Sequence, residues 1–175
     1  LLFIAGQVSI KVLVYLEKCE TEFKRRKIEA ESNKGKEKDL KIDGRNNDES
    51  MDESANNELE MIGGTNEDDF TDAINYIKEN ELLFGENSIL SKLSPIVEEI
   101  VSNSTRFNDI MLQRTAALCL EKFMCVSSKY CEKSLSLLIT VMEKSTDPIV
   151  RSNAVLGLGD MAVCFNNLID ENTDY

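Results

Sequence analysis

Histidine is missing from all 175 residues. Neither a Ser-His nor a Cys-His nucleophile pair can be built within the chain, and imidazole-ligated metal sites are excluded with them. No Gly-Lys-Ser or Gly-Lys-Thr phosphate loop occurs either. Gly157 and Gly159 match the first two glycines of a dinucleotide loop, but the third is absent and no strand precedes them, so close helix packing is the reading they support. Acid pairs such as Glu98 and Glu99 fall on the solvated side of their helix. A general acid and base need a pocket that separates their pKa values, and none is signalled. The sequence therefore points away from an enzyme and toward a protein with no cofactor.

Cysteine is sparse in a way that excludes a disulfide framework. Cys19, Cys119, Cys125, Cys131 and Cys164 are odd in number, lie mostly among apolar helix residues and form no CxxC pair. Cys119, Cys125 and Cys131 are six apart, so they share no helix face, and a thiolate zinc site would need a distant fourth ligand. Core thiols in a reducing compartment are expected. Long apolar runs are lacking too. Leu1 to Leu16 is broken by Gln7 and Lys11 and falls short of the roughly 20 residues that span a bilayer. No basic leader or cleavage site marks a signal peptide, so a soluble intracellular protein without a membrane partner is expected. The chain opens without Met inside an apolar segment and reads as a piece of something longer.

What is present begins with charge. Of a net charge of -12, nine units lie between Glu29 and Asp69, where fourteen acids face five bases. The remainder is close to balanced, so the global acidity does not exclude a nucleic-acid surface on the helical part.

The C-terminal half carries a 38-residue echo. Asp109, Leu112, Ala116, Leu118, Leu120 and Phe123 align with Asp147, Val150, Ala154, Leu156, Leu158 and Met161, and Leu93, Val97, Ile100 and Val101 align with Cys131, Leu135, Leu138 and Ile139. A period near 40 with two helices per unit predicts an all-α chain, an α-solenoid of HEAT-type or armadillo-type helical hairpins interrupted by a disordered acidic insertion. Such repeats present long surfaces to other macromolecules.

The predicted organisation follows the pattern along the chain. Residues 1–28 form a mostly buried helix with a narrow wet stripe at Gln7, Lys11 and Lys18 and a basic end. Residues 29–66 are an acidic, low-complexity insertion too polar to offset the entropy of ordering. A helix over 67–86 starts after Thr65, with Asp68 three residues on, and stops at Gly85. A HEAT repeat over 88–127 opens with Ser88 as cap, carries Pro95 inside its first helix, and starts its second helix at Asp109 or Asn108. A further repeat over 131–163 has Asp147 capping a helix whose first position is Pro148. Residues 164–175 form an inter-repeat loop.

Three sets of residues are candidates for function. Lys24, Arg25, Arg26 and Lys27, with Lys18 one to two turns earlier, form a basic cluster able to neutralise phosphates of double-stranded DNA through backbone contacts. The same residues also suit a solvated helix end, where cations complement the dipole, and Phe23 alone offers little base stacking. Asp109, Asp147 and Arg151 occupy acidic and basic positions suited to stitching one repeat to the next. Ser50, ahead of Asp52 and Glu53, is an accessible acid-directed phosphorylation candidate, whereas Ser94, ahead of Pro95, falls in an ordered turn.

Particular strings go further than the period. GQVSIKVLVYLEKCETEFKRRK at Gly6 to Lys27, ENELLFGENSIL at Glu79 to Leu90 and EKSTDPIVRSNAVLGLGDMAVCFNNLID at Glu143 to Asp170 resemble the family of HEAT-repeat regulatory subunits of condensin I. The likeness covers nearly all of the chain outside the insertion. It implies an internal piece of a large mitotic protein of nucleus, cytoplasm and mitotic chromosomes that binds the condensin kleisin subunit and, through it, the SMC ATPase subunits. ATP hydrolysis in that family belongs to the SMC heads, and its HEAT subunits also contact DNA. The resemblance carries over no individual binding residue, since the recognisable strings are mainly packing and turn positions. A transport or trafficking adaptor built from the same repeats, in the manner of karyopherins or adaptins, is the alternative that the repeats alone allow.

Overall fold

A computed structural model describes the backbone of residues 1–41 and 66–170, and the side chains of 1–29 and 69–168. Seven α-helices and one π-helical turn account for the described chain, with no strand among the described residues. They are α1 (Leu2–Lys41), α2 (Asn66–Tyr76), the π-turn (Ile77–Glu81), α3 (Ile89–Ser102), α4 (Ile110–Met124), α5 (Ser128–Lys144), α6 (Pro148–Cys164) and α7 (Asn166–Asp170). The chain divides into two compact units. One comprises Leu1–Val14 together with the chain from Tyr76 on, and the other lies within Tyr15–Asn75.

In the first unit, side-chain caps set the helix starts. Ser88, Asp109, Ser127 and Asp147 each hold extended backbone and accept a bond from an amide of the first turn, at Leu90, Leu112, Tyr130 and Ile149 respectively. These oxygens satisfy donors that have no partner within the helix. Pro148 follows Asp147 at the position where a missing N–H costs nothing. Pro95, well inside α3, should leave the Ser91 carbonyl without its usual donor. The Ser94 hydroxyl supplies one instead, donating to Ser91 O at 3.2 Å. Ser94 is buried as a result of this inward turn.

Helices α3 and α4 form one hairpin and α5 and α6 the next, and α4 packs against α3, α5 and α6. Burial follows the 38-residue register at four of its nine apolar pairs, while Leu118 and Leu156 are half-buried and exposed. Ala116 and Ala154, Phe123 and Met161, Val97 and Leu135, and Ile100 and Leu138 are buried as matched pairs. Tyr130 fills the centre between the rings of Phe123 and Phe84, at 6.0 and 6.2 Å in edge-to-face arrangements. Gln113 ties the first hairpin at its turn by donating to the carbonyls of Ile100 (2.8 Å) and Phe107 (2.7 Å).

The opening of α1 packs differently from the stripe expected for it. Its buried residues are Leu2, Ala5, Gly6 and Ser9, small groups at helical spacing, while Ile4 and Val8 are exposed. Close approach is the reason: a Cβ on Gly6 would lie 3.3 Å from the Cα of Cys119 on α4. The Ser9 hydroxyl, buried in this contact, donates to the Gly6 carbonyl.

Element boundaries depart from expectation in four places. Helix α1 runs on to Lys41, past the expected end near residue 28 and into the expected insertion, whose remaining residues 42–65 lie outside the described ones. Glu and Lys make up seven of the thirteen residues from 29 to 41, and both are good helix formers even without an apolar face. A π-turn precedes Gly85, and Gly85 has no positive φ. Helix α5 starts three residues ahead of Cys131, because Ser127 rather than a later residue is its cap. Finally, residues 166–170 within the expected terminal loop are helical.

The shared register makes buried and exposed leucines of one sequence pattern unequal. Leu120→Ala, at a fully buried position on α4, should cost about 2–5 kcal/mol in urea unfolding. Leu156→Ala, at 67% exposure on α6, should change stability by less than about 0.5 kcal/mol.

Candidate macromolecular interface

The basic cluster sits on α1, within the second unit, and each of three of its cations faces an acid one turn away. Lys24 Nζ lies 2.8 Å from Glu20 Oε1, Arg26 Nε 2.8 Å from Glu22 Oε1, and Arg25 grips both oxygens of Glu22 while also pairing with Glu29. The two guanidiniums hold the Glu22 carboxyl down to about 2. Exposed pairs of this kind contribute little to stability, so a phosphate can displace the carboxylates at small cost. Lys18 is exposed on the same helix. Phe23 stacks on Phe70 of α2, with centroids 4.3 Å apart and rings 12° from parallel. That face is therefore occupied, which leaves phosphate contact as the chemistry the cluster offers.

Between the hairpins, Asp147 carries two duties. It caps α6 through the Ile149 amide (2.9 Å) and receives a fork from Arg114 of α4, with Nε at 2.6 Å from Oδ2 and Nη2 at 3.2 Å from Oδ1. The bond from the Arg114 guanidinium holds the Asp147 carboxyl below its ordinary range. Arg151, four residues along, is exposed. Asp109 caps α4 in the same manner, with the Leu112 amide at 2.7 Å. Arg114 was not singled out from sequence. The 38-residue register gives no signal for it, since it sets Gln113 opposite Arg151 and Arg114 opposite Ser152.

A second long-range clasp comes from the π-turn. Glu79 accepts from the Ser127 hydroxyl (2.7 Å) and from the amides of Ser128 (2.9 Å) and Lys129 (3.1 Å), at the start of α5. A carboxylate there complements the positive end of the helix dipole. Burial opposes the charge, yet the hydroxyl and amide bonds prevail and hold the Glu79 carboxyl below its ordinary value.

Glu121 is the one buried acid of the α4–α6 seam. It is 5% exposed, and its Oε1 has no hydrogen-bond partner. A Cβ on Gly157 would lie 2.9 Å from Glu121 Cγ, so the glycine opens the space that the side chain fills. Burial, with Asp160 adding like charge and Lys122 partly offsetting it, raises its carboxyl to about 7.

Burial likewise raises the thiols of Cys119 and Cys131 to about 11 and that of Cys125 to about 12. Thiols so disposed stay protonated, are poor metal ligands and are slow to react with oxidants from solvent. No group of three or more metal-ligating acids or thiols occurs among the described residues. No helix of the described residues is long and apolar enough to cross a membrane. Ser50 lies outside the described residues. The surface does keep apolar groups: Met111 and Ile149, equivalent in the 38-residue register, are both exposed at the starts of α4 and α6.

No protein-family model matches the chain. Individual relatives do. Over all 175 residues the chain is 75% identical to condensin complex subunit 1 of Saccharomyces cerevisiae and 47% identical to that of Schizosaccharomyces pombe. Against the Homo sapiens protein of the same name it is 36% identical over an alignment of 176 residues. The chain spans 15%, 14% and 12% of the lengths of these three relatives.

The buried acid makes stability depend on pH. Its folded value of about 7 stands above the ordinary 4.5, so the folded state holds the proton more tightly than the unfolded chain does. Its contribution is therefore whole below about pH 4.5 and lost as pH rises through about 7. Between pH 5 and pH 8 the chain should lose on the order of 2–3 kcal/mol from this group in urea unfolding, and Glu121→Gln should remove that part of the slope.

Proposed function

Because the chain belongs to the condensin complex subunit 1 family, we propose that it is a non-catalytic scaffold segment of a condensin complex, acting in mitotic chromosome condensation in the nucleus and on chromosomes. Its stacked hairpins are of the HEAT type in this reading and offer a surface to the kleisin subunit, through which the SMC ATPase subunits are joined. The observation that carries the reading is identity sustained over the whole chain, 75% with one relative and 36% with another as distant as the human protein.

Several features support the finer assignments. Repeated exposed apolar residues at Met111 and Ile149 suit an extended peptide that crosses successive hairpins. Asp109, Asp147 and Arg151 stitch repeat to repeat, with the Arg114–Asp147 fork as the joint between these two hairpins. Lys18, Lys24, Arg25, Arg26 and Lys27 contact the phosphate backbone of double-stranded DNA, exchanging acids of their own helix for phosphates. Ser50, among acids, takes phosphate in regulation.

Co-purification tests the assignment. The full-length subunit should recover the kleisin, recovery should fall when residues 67–170 are removed, and equal recovery would contradict a kleisin contact here. In the same complexes, reversing the charge of Lys24, Arg25, Arg26 and Lys27 should weaken DNA binding and flatten its salt dependence by up to about 0.9 per lost contact. An unchanged affinity and slope would remove DNA from the account.

A further inference from the structure

Helices α4 and α6 run in the same direction, because their contacts advance together. Arg114 near the start of α4 meets Asp147 at the start of α6, and Glu121, two turns on, lies against Gly157. One more turn along each helix sets Cys125, the residue that closes α4, level with Met161, and Cys164 follows less than a turn later at the end of α6. From the first turn of α5, the Cys131 sulfur reaches to 3.4 Å from the Met161 sulfur. Three thiols on three elements thus lie toward the same end of the seam. Their access to solvent differs: Cys164 is exposed, Cys125 half-buried and Cys131 buried. Cys164 is near enough to add, after burial, to the upward shift of both other thiols. The cluster is not a metal site, since no ligand group of three or more occurs among the described residues.

We propose that Cys164 and Cys125 are a peroxide-responsive thiol pair whose disulfide clasps the end of α6 to the end of α4. Oxidation starts at Cys164, the solvent-facing member, while burial keeps Cys125 and Cys131 protonated toward peroxide. The Cys164 sulfur attacks one oxygen of hydrogen peroxide, the O–O bond breaks, and the products are a sulfenic acid and one water. The Cys125 sulfur then displaces the sulfenic oxygen: the S–O bond breaks, the S–S bond forms, and the hydroxyl leaves with the Cys125 proton as a second water. Two electrons pass from the two sulfurs to the peroxide. Cys125 is the resolving partner because it lies at the end of the helix packed directly against α6 and is less buried than Cys131; the disulfide brings its Cα to roughly 4.4–6.8 Å from that of Cys164. Cys131 is fully buried in the first turn of α5 and engaged with Met161.

Peptide mapping of the full-length protein decides the matter. Trypsin cuts after Lys122, Lys129, Lys133 and Arg151, which places the three cysteines in three separate peptides. After hydrogen peroxide, alkylation and non-reducing digestion, mass spectrometry should find peptide 123–129 joined to the peptide that begins at Ser152. The species should vanish with dithiothreitol and in Cys164→Ser, whose exposed site leaves the fold intact, and in Cys125→Ser. Amide exchange over Met161 to Cys164 should slow in the oxidised protein and recover on reduction. A Cys131–Cys164 link, a sulfinic Cys164 beside a reduced Cys125, or no oxidation at all would each overturn the proposal.

Discussion

The fold rests on how closely α4 can approach α6. Gly157 meets that requirement where the Glu121 side chain must fit. Everything else in the first unit is arranged around this contact. Helix α3 is tied to α4 by Gln113, α5 packs against both partners with Tyr130 of its first turn against Phe123, and the opening of α1 reaches α4 through Gly6. Small residues allow backbones to come together, and the larger Phe123, Leu120 and Met161 then fill what remains at interior density. The unpartnered Glu121 carboxyl is the cost of that packing, and it is a cost that depends on pH.

Helix ends are the other constraint, because short stacked helices expose many amides and carbonyls that lack partners within the helix. Here the starts of α3, α4, α5 and α6 are each met by a side chain, and two of these caps form part of wider contacts. Asp147 serves its own helix and Arg114, while the start of α5 is served by Ser127 and by Glu79 from 48 residues away. Caps that also reach across elements fix the angle between hairpins as well as the helix termini. Pro95 belongs to the same economy, since the Ser94 hydroxyl takes over the carbonyl that proline leaves open.

Most of this architecture was legible in the residues. A constant 38-residue offset aligned Val97 with Leu135 and Ala116 with Ala154, and those pairs are buried together. Cap chemistry at Ser88, Asp109 and Asp147 was readable because it is local, the oxygen and its amide being two or three residues apart. What depends on distant partners was not readable. Glu79 looks like any helix acid until Ser127 is placed beside it, and Arg114 gains its role only from Asp147, 33 residues on. Glu121 sits in an apolar helix whose charged residues would be expected to face water, and only the gap at Gly157 reveals that it points inward. Helix α1 outlasts its apolar pattern because propensity alone sustains it to Lys41, a weaker signal than amphipathicity. For the basic cluster, sequence showed the cations and one aromatic; the Glu20 and Glu22 pairs and the Phe23–Phe70 stack narrow what those residues offer.

A scaffold of a large assembly needs neighbouring hairpins that behave as one body, so that a partner bound along them meets a fixed surface. That behaviour follows here from the shared α4–α6 seam rather than from either hairpin alone. Native-state hydrogen exchange measures it directly. The amides of Leu120 on α4, Leu138 on α5 and Met161 on α6 should open with a single common free energy and a common dependence on denaturant. Exchange of the α5–α6 amides at a distinctly lower free energy than those of α4 would contradict a joint core across the two hairpins.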